Sequence, residues 1–129
     1  MTTAAGGRAA AKRVRVLVVE DEMLLAMLME DTLADCGCDV VGPVGRVTDG
    51  VRLAQSERLD GAVLHINIGG TEVFPVAREL AKRSIPFVFV SGYALANLPE
   101  EWKGRPTLQK PFRPEDLARN MKAFRSRGR

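Results

Sequence analysis

The stretch "VRVLVVEDE", residues 14–22, decides the fold. Its first part is a β-branched, nearly continuous apolar run. A strand with one wet face alternates polar and apolar residues; a run this continuous reads as a strand buried on both faces, as in a parallel sheet. It ends in acids and passes into "MLLAMLMEDTLADC". There Leu25, Leu28, Met29, Thr32 and Cys36 recur at helical spacing, opposite Glu30, Asp31 and Asp35. Gly37 suits the position just past a helix.

The alternation continues along the chain. "CDVVGPV" is a second strand closed by Gly42 and Pro43, and "VTDGVRLAQSER" a weaker helix in which Gly50 costs about 1 kcal/mol relative to alanine. A third strand over about Asp60 to Ile66 runs into the loop "NIGG". In "TEVFPVARELAKR", Val73, Val76, Ala77 and Leu80 line one helix face, with Pro75 tolerable only in the first turn. "IPFVFVSG" is a fourth strand, and Pro99 limits "YALANLPEEWKG" to a short helical turn and a loop. "RPTLQK" is a fifth strand. Pro114 then opens a helix with Glu115 and Asp116 in its first turn and Leu117, Met121 and Phe124 as its apolar stripe.

Strands alternating with helices through short connections imply parallel strands and right-handed crossovers. The expected architecture is α/β, a doubly wound (βα)5 sheet with a short or irregular fourth helix. Residues 1–12 are expected to form a flexible arm and residues 13–129 one domain, since 129 residues with 46% hydrophobic content suffice for a single core. No apolar run approaches the ~20 residues of a membrane span, and "MTTAAGGRAAAKR" lacks a secretory apolar core, so the expectation is a cytoplasmic protein away from membranes. The net charge of +3 comes from basic ends without interleaved aromatics, which argues against nucleic-acid binding. Cys36 and Cys38 flank one glycine; neighbours so close rarely bridge, and no second cluster completes a zinc site.

Sites in open parallel sheets gather at the carboxyl ends of the strands. Those ends here deliver Glu20 and Asp21, His65, Ser91 and Lys110. The first strand leads into "EDEM" rather than a glycine-rich phosphate loop, which argues against a nucleotide-binding enzyme.

From Val14 to about Phe124 the chain resembles the receiver domain of two-component response regulators. The resemblance rests on "VVEDE", on "GAVLHINIGG" after an acidic residue, on "FVSG" and on "QKPF", in that order and spacing. It implies a flavodoxin-like five-stranded parallel sheet in the order 2-1-3-4-5. It also implies that Glu20, Asp21 and the Asn67 carbonyl descend from a Mg²⁺ site, and that Ser91 and Lys110 occupy phosphate-cradle positions. The family's phosphoacceptor is an aspartate ending the third strand; that position here is His65. The aromatic switch residue three before the lysine is Thr107. "FVSGYA" and "LP…GRP…LQKPF" are similar to a branch of mostly alphaproteobacterial single-domain regulators.

Aspartyl phosphorylation is chemically impossible at a histidine. The usual three carboxylates and one lysine sum to −2; here two carboxylates and Lys110 give −1, or 0 with His65 protonated, so a dication is no longer required. The ancestral Mg²⁺ site is expected to be weak or empty, with no cofactor and no enzyme activity. Four readings of His65 stand beside each other. It is a spacer hydrogen-bonded to Asp21 or Glu20; a proton sensor; a transition-metal ligand with Asp21 and Glu20; or a phosphate carrier, itself or through Ser91 or Asp21. Glu20 and Asp21 could instead stabilise a helix N-terminus, and Lys110 could pair with Asp21. The expected function is that of a degenerate receiver acting by protein–protein contact, through an output face built by the fourth connection, the fifth strand and the fifth helix that includes Tyr93, Trp102 and Thr107; Tyr93 and Trp102 read equally well as core packing residues. Expected partners are a histidine kinase, a phosphotransfer protein, or another receiver, a homodimer included. The chain ends soon after the fifth helix, so no output domain is expected.

Overall fold

A computed structural model describes residues 13–92 and 98–128. The expected N-terminal arm, residues 1–12, and Tyr93 lie outside them. The elements run β1 (Val14–Val19), α1 (Met23–Asp35), β2 (Cys38–Val44), α2 (Val47–Ser56) and β3 (Gly61–His65). They continue with a hairpin of β4 (Asn67–Ile68) and β5 (Thr71–Glu72), then α3 (Phe74–Lys82), β6 (Phe87–Ser91), a 3₁₀ turn (Glu100–Trp102), β7 (Thr107–Gln109) and α4 (Pro114–Gly128).

The main sheet is parallel throughout, in the order β2-β1-β3-β6-β7. This is the expected five-strand order with the small hairpin counted. Two apolar layers cover it, and the period of two along each strand feeds both. Leu17, Val19, Ala62, Leu64, Phe87 and Phe89 face the layer closed by α2 and α3. Val16, Val18, Val63, Val88 and Val90 face the layer closed by α1 and α4. The stripe Leu117, Met121 and Phe124 of α4 is buried as read, and so are Val73, Val76, Ala77 and Leu80.

Two glycines are spent on close approach. A Cβ at Gly50 would lie 2.9 Å from Val76 Cγ2 and 3.1 Å from Val19 Cγ2, so its absence lets α2 settle between sheet and neighbour. At Gly61 a methyl would fall inside the Phe124 ring. At the other end of the same strands Asp60 ties β1 to β3, accepting from Arg15 N at 2.9 Å and Arg58 Nη1 at 3.1 Å.

Three expectations are corrected. The segment expected to run from a loop straight into a helix carries a two-residue hairpin, with Asn67 opposite Glu72 and Ile68 opposite Thr71. Gly69 and Gly70 both take positive φ at its turn, which explains the paired glycines. The apolar face of α1 is rotated: Ala26, Met29, Thr32 and Leu33 are buried, whereas Leu28, expected in the core, is exposed. Trp102, placed on the output face from sequence, is 3% exposed. Its ring stacks on Phe74 at 6.2 Å and meets Phe87 and Phe89 edge-on, because the 3₁₀ turn folds it over the sheet.

Candidate functional site at the carboxyl edge of the sheet

Strand register assembles the site. Val19 pairs with Leu64, so the next residues, Glu20 and His65, lie side by side. Both alternate onto the α1/α4 face of the sheet. His65 Nδ1 sits 2.9 Å from Glu20 Oε2. Glu20 Oε2 also accepts the Glu22 backbone N–H at 3.0 Å. The Glu20 side chain has no exposed surface and that of His65 only 14%. Glu20 Oε1 is buried with no hydrogen-bond partner among the described residues.

Asp21 stands at the rim. Its Oδ2 accepts the Gly69 N–H at 2.9 Å, and Oδ1 lies 3.9 Å from His65 Nδ1. The first turn glycine, Gly69, therefore orients this carboxylate. Asn67 Oδ1 accepts the Gly70 N–H at 3.0 Å, which shapes the same turn. Asp21, His65, Asn67, Gly69, Gly70, Gly92 and Lys110 line a cleft of about 440 Å³. Ser91 closes β6 and is buried; its carbonyl accepts the Lys110 N–H at 2.8 Å, which brings the fourth and fifth strand ends together. Lys110 Nζ reaches Glu22 Oε1 at 3.3 Å, not Asp21. Glu22 is the residue that sequence reasoning missed, although it completes the acidic run after β1. Thr107 is half-buried in β7 opposite Phe89.

A second feature borders the cleft. Met23, Leu24, Met27 and Leu28 of α1 are 75%, 76%, 53% and 42% exposed, a contiguous apolar surface. Leu24, Leu25 and Leu28 line a groove of about 570 Å³ with Pro111 and Phe112, and Glu22 and Lys110 form its polar end. Lys110 thus belongs to both the groove and the cleft.

No family model matches the chain. Among solved structures it is similar to SdrG from Sphingomonas melonis Fr1, with a TM-score of 0.77 and 36% identity over 88% of this chain and 98% of that one. A response regulator receiver protein from Sinorhizobium medicae WSM419 gives a TM-score of 0.77 and 26% identity over 90% and 98%. The chain belongs to the response regulator receiver domains. Among curated proteins it is 30% identical over 107 residues to the transcriptional regulatory protein PdtaR of Mycobacterium tuberculosis, covering 80% of this chain and 52% of that protein. The chain spans about half the length of that relative. Among the described residues, no helix of this receiver is long and apolar enough to cross a membrane.

Receivers of this family use Mg²⁺, and the donor set here does not fit it. Mg²⁺ demands near-octahedral oxygen coordination. The centre of this site, beside Glu20 and Asp21, is an imidazole nitrogen where the family has a carboxylate oxygen.

Proposed function

We propose that this receiver domain works in two-component phosphorelay signalling as a degenerate switch: His65 stands where the family's phosphoacceptor aspartate would be, and the domain acts by protein–protein contact. The observation that carries the reading is the pairing of a histidine at the end of β3 with the apolar surface of α1 beside it. Without an acceptor carboxylate the site forms no acyl phosphate. An exposed surface of four large apolar side chains marks a place where another protein sits. Its position shifts the expected contact away from the face that included Trp102, which is core.

The partner is a helical histidine-bearing domain of a histidine kinase or phosphotransfer protein. Fully burying a Leu or Met side chain contributes about 1.5–3 kcal/mol, and these four, already part-buried, contribute a share of that each to a contact to which the groove and Lys110 add shape and charge. The test is calorimetric titration of the receiver with the purified histidine-bearing domains of its host. Leu24→Asp and Met27→Asp should weaken binding at least about tenfold, on the same burial energies, and leave folding intact, because both side chains face solvent. Equal binding by the parent and these variants would remove α1 as the contact. Binding by none of the domains would remove the reading.

A further inference from the structure

We infer that the Glu20–Asp21–His65 cluster is a binding site for a borderline divalent transition metal of the Zn²⁺ class, in place of the Mg²⁺ that the fold family uses.

One ligand atom each from Glu20, Asp21 and His65 falls within 4.8 Å of the others. Two of the edges are 2.9 Å, His65 Nδ1 to Glu20 Oε2, and 3.9 Å, His65 Nδ1 to Asp21 Oδ1. A tetrahedral ion with bonds of about 2.0–2.1 Å sets its ligands roughly 3.3 Å apart. The two His65 edges bracket that value, and the third, Glu20 to Asp21, is no longer than 4.8 Å, so the three side chains have to draw together only modestly around an ion. Imidazole nitrogen and carboxylate oxygen are both Zn²⁺ ligands, and a nitrogen donor favours such ions over Mg²⁺.

The independent pointer to a ligand is Glu20 Oε1. It is a carboxylate oxygen on a side chain with no exposed surface, and it has no hydrogen-bond partner among the described residues. Buried acceptors of this kind are rare unless something binds them. An ion held by Glu20 and His65 satisfies it.

The surroundings suit an open site. Asp21 is oriented through its other oxygen, Oδ2, by the Gly69 amide, as ligating carboxylates usually are, and the Glu22 amide fixes the Glu20 carboxylate through Oε2. Lys110, the cation lining the cleft, is drawn off to Glu22. Three protein ligands and the cleft of about 440 Å³ leave a fourth position to water or to a ligand atom from a partner. His65 is the only histidine of the chain, so an imidazole signal reports on this site alone.

The experiment is isothermal titration of the chelator-stripped full chain with Zn²⁺, Co²⁺ and Mg²⁺, with Co²⁺ absorption and NMR of the His65 ring. Cys36 and Cys38 are competing soft ligands, so the titration is repeated on Cys36→Ser/Cys38→Ala. Expected are one Zn²⁺ or Co²⁺ per chain, a Co²⁺ spectrum without thiolate charge transfer, a shifted His65 ring, and no matching Mg²⁺ isotherm. His65→Gln and Glu20→Gln should each weaken binding by more than about 100-fold, a loss beyond the roughly 10–100-fold that orienting partners usually cause. Should one variant unfold, the other, with the ring shift in the parent, still decides. Three results would overturn the inference: no Zn²⁺ binding, binding that survives His65→Gln, or binding lost only with the cysteines. A phosphoryl adduct on the parent would remove the function proposed above and leave this site standing.

Discussion

Replacing His65 by aspartate restores the family's carboxylate but places a third acid in a site built for two. In the parent, His65 Nδ1 is 2.9 Å from a Glu20 oxygen that has no solvent around it. His65→Asp removes that hydrogen bond, which contributes about 1–1.5 kcal/mol. It also introduces a like charge. The aspartate is shorter, so its oxygens stand roughly 4.5 Å from Glu20. At an effective dielectric near 20 the repulsion is about 4 kcal/mol, and partial exposure of Asp21 lets the cluster relax and absorb part of it. The metal-free variant should therefore be less stable than the parent by about 2–4 kcal/mol, a melting temperature lower by roughly 8–16 °C. The three oxygens then suit Mg²⁺. At ten times its Kd, Mg²⁺ should recover about 1.4 kcal/mol in the variant and nothing in the parent. The assay is thermal unfolding by circular dichroism, with chelator and with millimolar Mg²⁺. A metal-free variant as stable as the parent, or one blind to Mg²⁺, would refute the charge argument and the placement of His65 against Glu20.

Gly50→Ala should destabilise by about 1–2 kcal/mol in chemical denaturation despite alanine's higher helix propensity, because the methyl meets Val76 and Val19; a stabilised variant would contradict the close packing of α2. The Asp116 carboxyl is held below its ordinary range, first by the Arg113 backbone N–H and then by Arg119. A depressed folded pKa gives stability that is present above the unfolded value and lost as pH falls through the folded one. The stability gap between the parent and Asp116→Asn should be constant near neutrality and close in acid below about pH 4, as followed by urea unfolding at several pH values. Burial pushes the Cys38 thiol up, so in the native chain Cys36 should react with a disulfide reagent well before Cys38, and equal rates would contradict the burial.

The sheet was legible because each of its inner strands is apolar on both faces, a pattern that survives without context; "VRVLVVE" is buried from Val16 through Glu20 as read. The site was legible for the same reason: four apolar runs each stop on a polar residue, and parallel register brings such stops together. What stayed hidden depends on three-dimensional choice. The residues of α1 are apolar around most of its circumference, so periodicity supports two stripes, and tertiary packing selects Ala26, Met29 and Leu33 over Leu28. A hairpin with two-residue strands has no period to detect. Lys110 pairs with Glu22 while the Gly69 amide takes an Asp21 oxygen, a choice set by how the loops after three strands meet and not by any local pattern. Trp102, in a polar segment, reads equally as a surface anchor or a core residue, and the structure selects the second by closing an aromatic cluster with Phe74, Phe87 and Phe89.

The central claim is that this receiver has lost its acceptor while keeping its frame. Intact mass spectrometry after incubation with acetyl phosphate and Mg²⁺, run in parallel on the parent and on His65→Asp, tests it most directly. The parent should keep its unmodified mass, and the variant should gain one phosphoryl group that hydroxylamine removes. A stoichiometric phosphoryl adduct on the parent, mapped to His65, Ser91, Asp21 or any other residue of the cleft, would contradict the account.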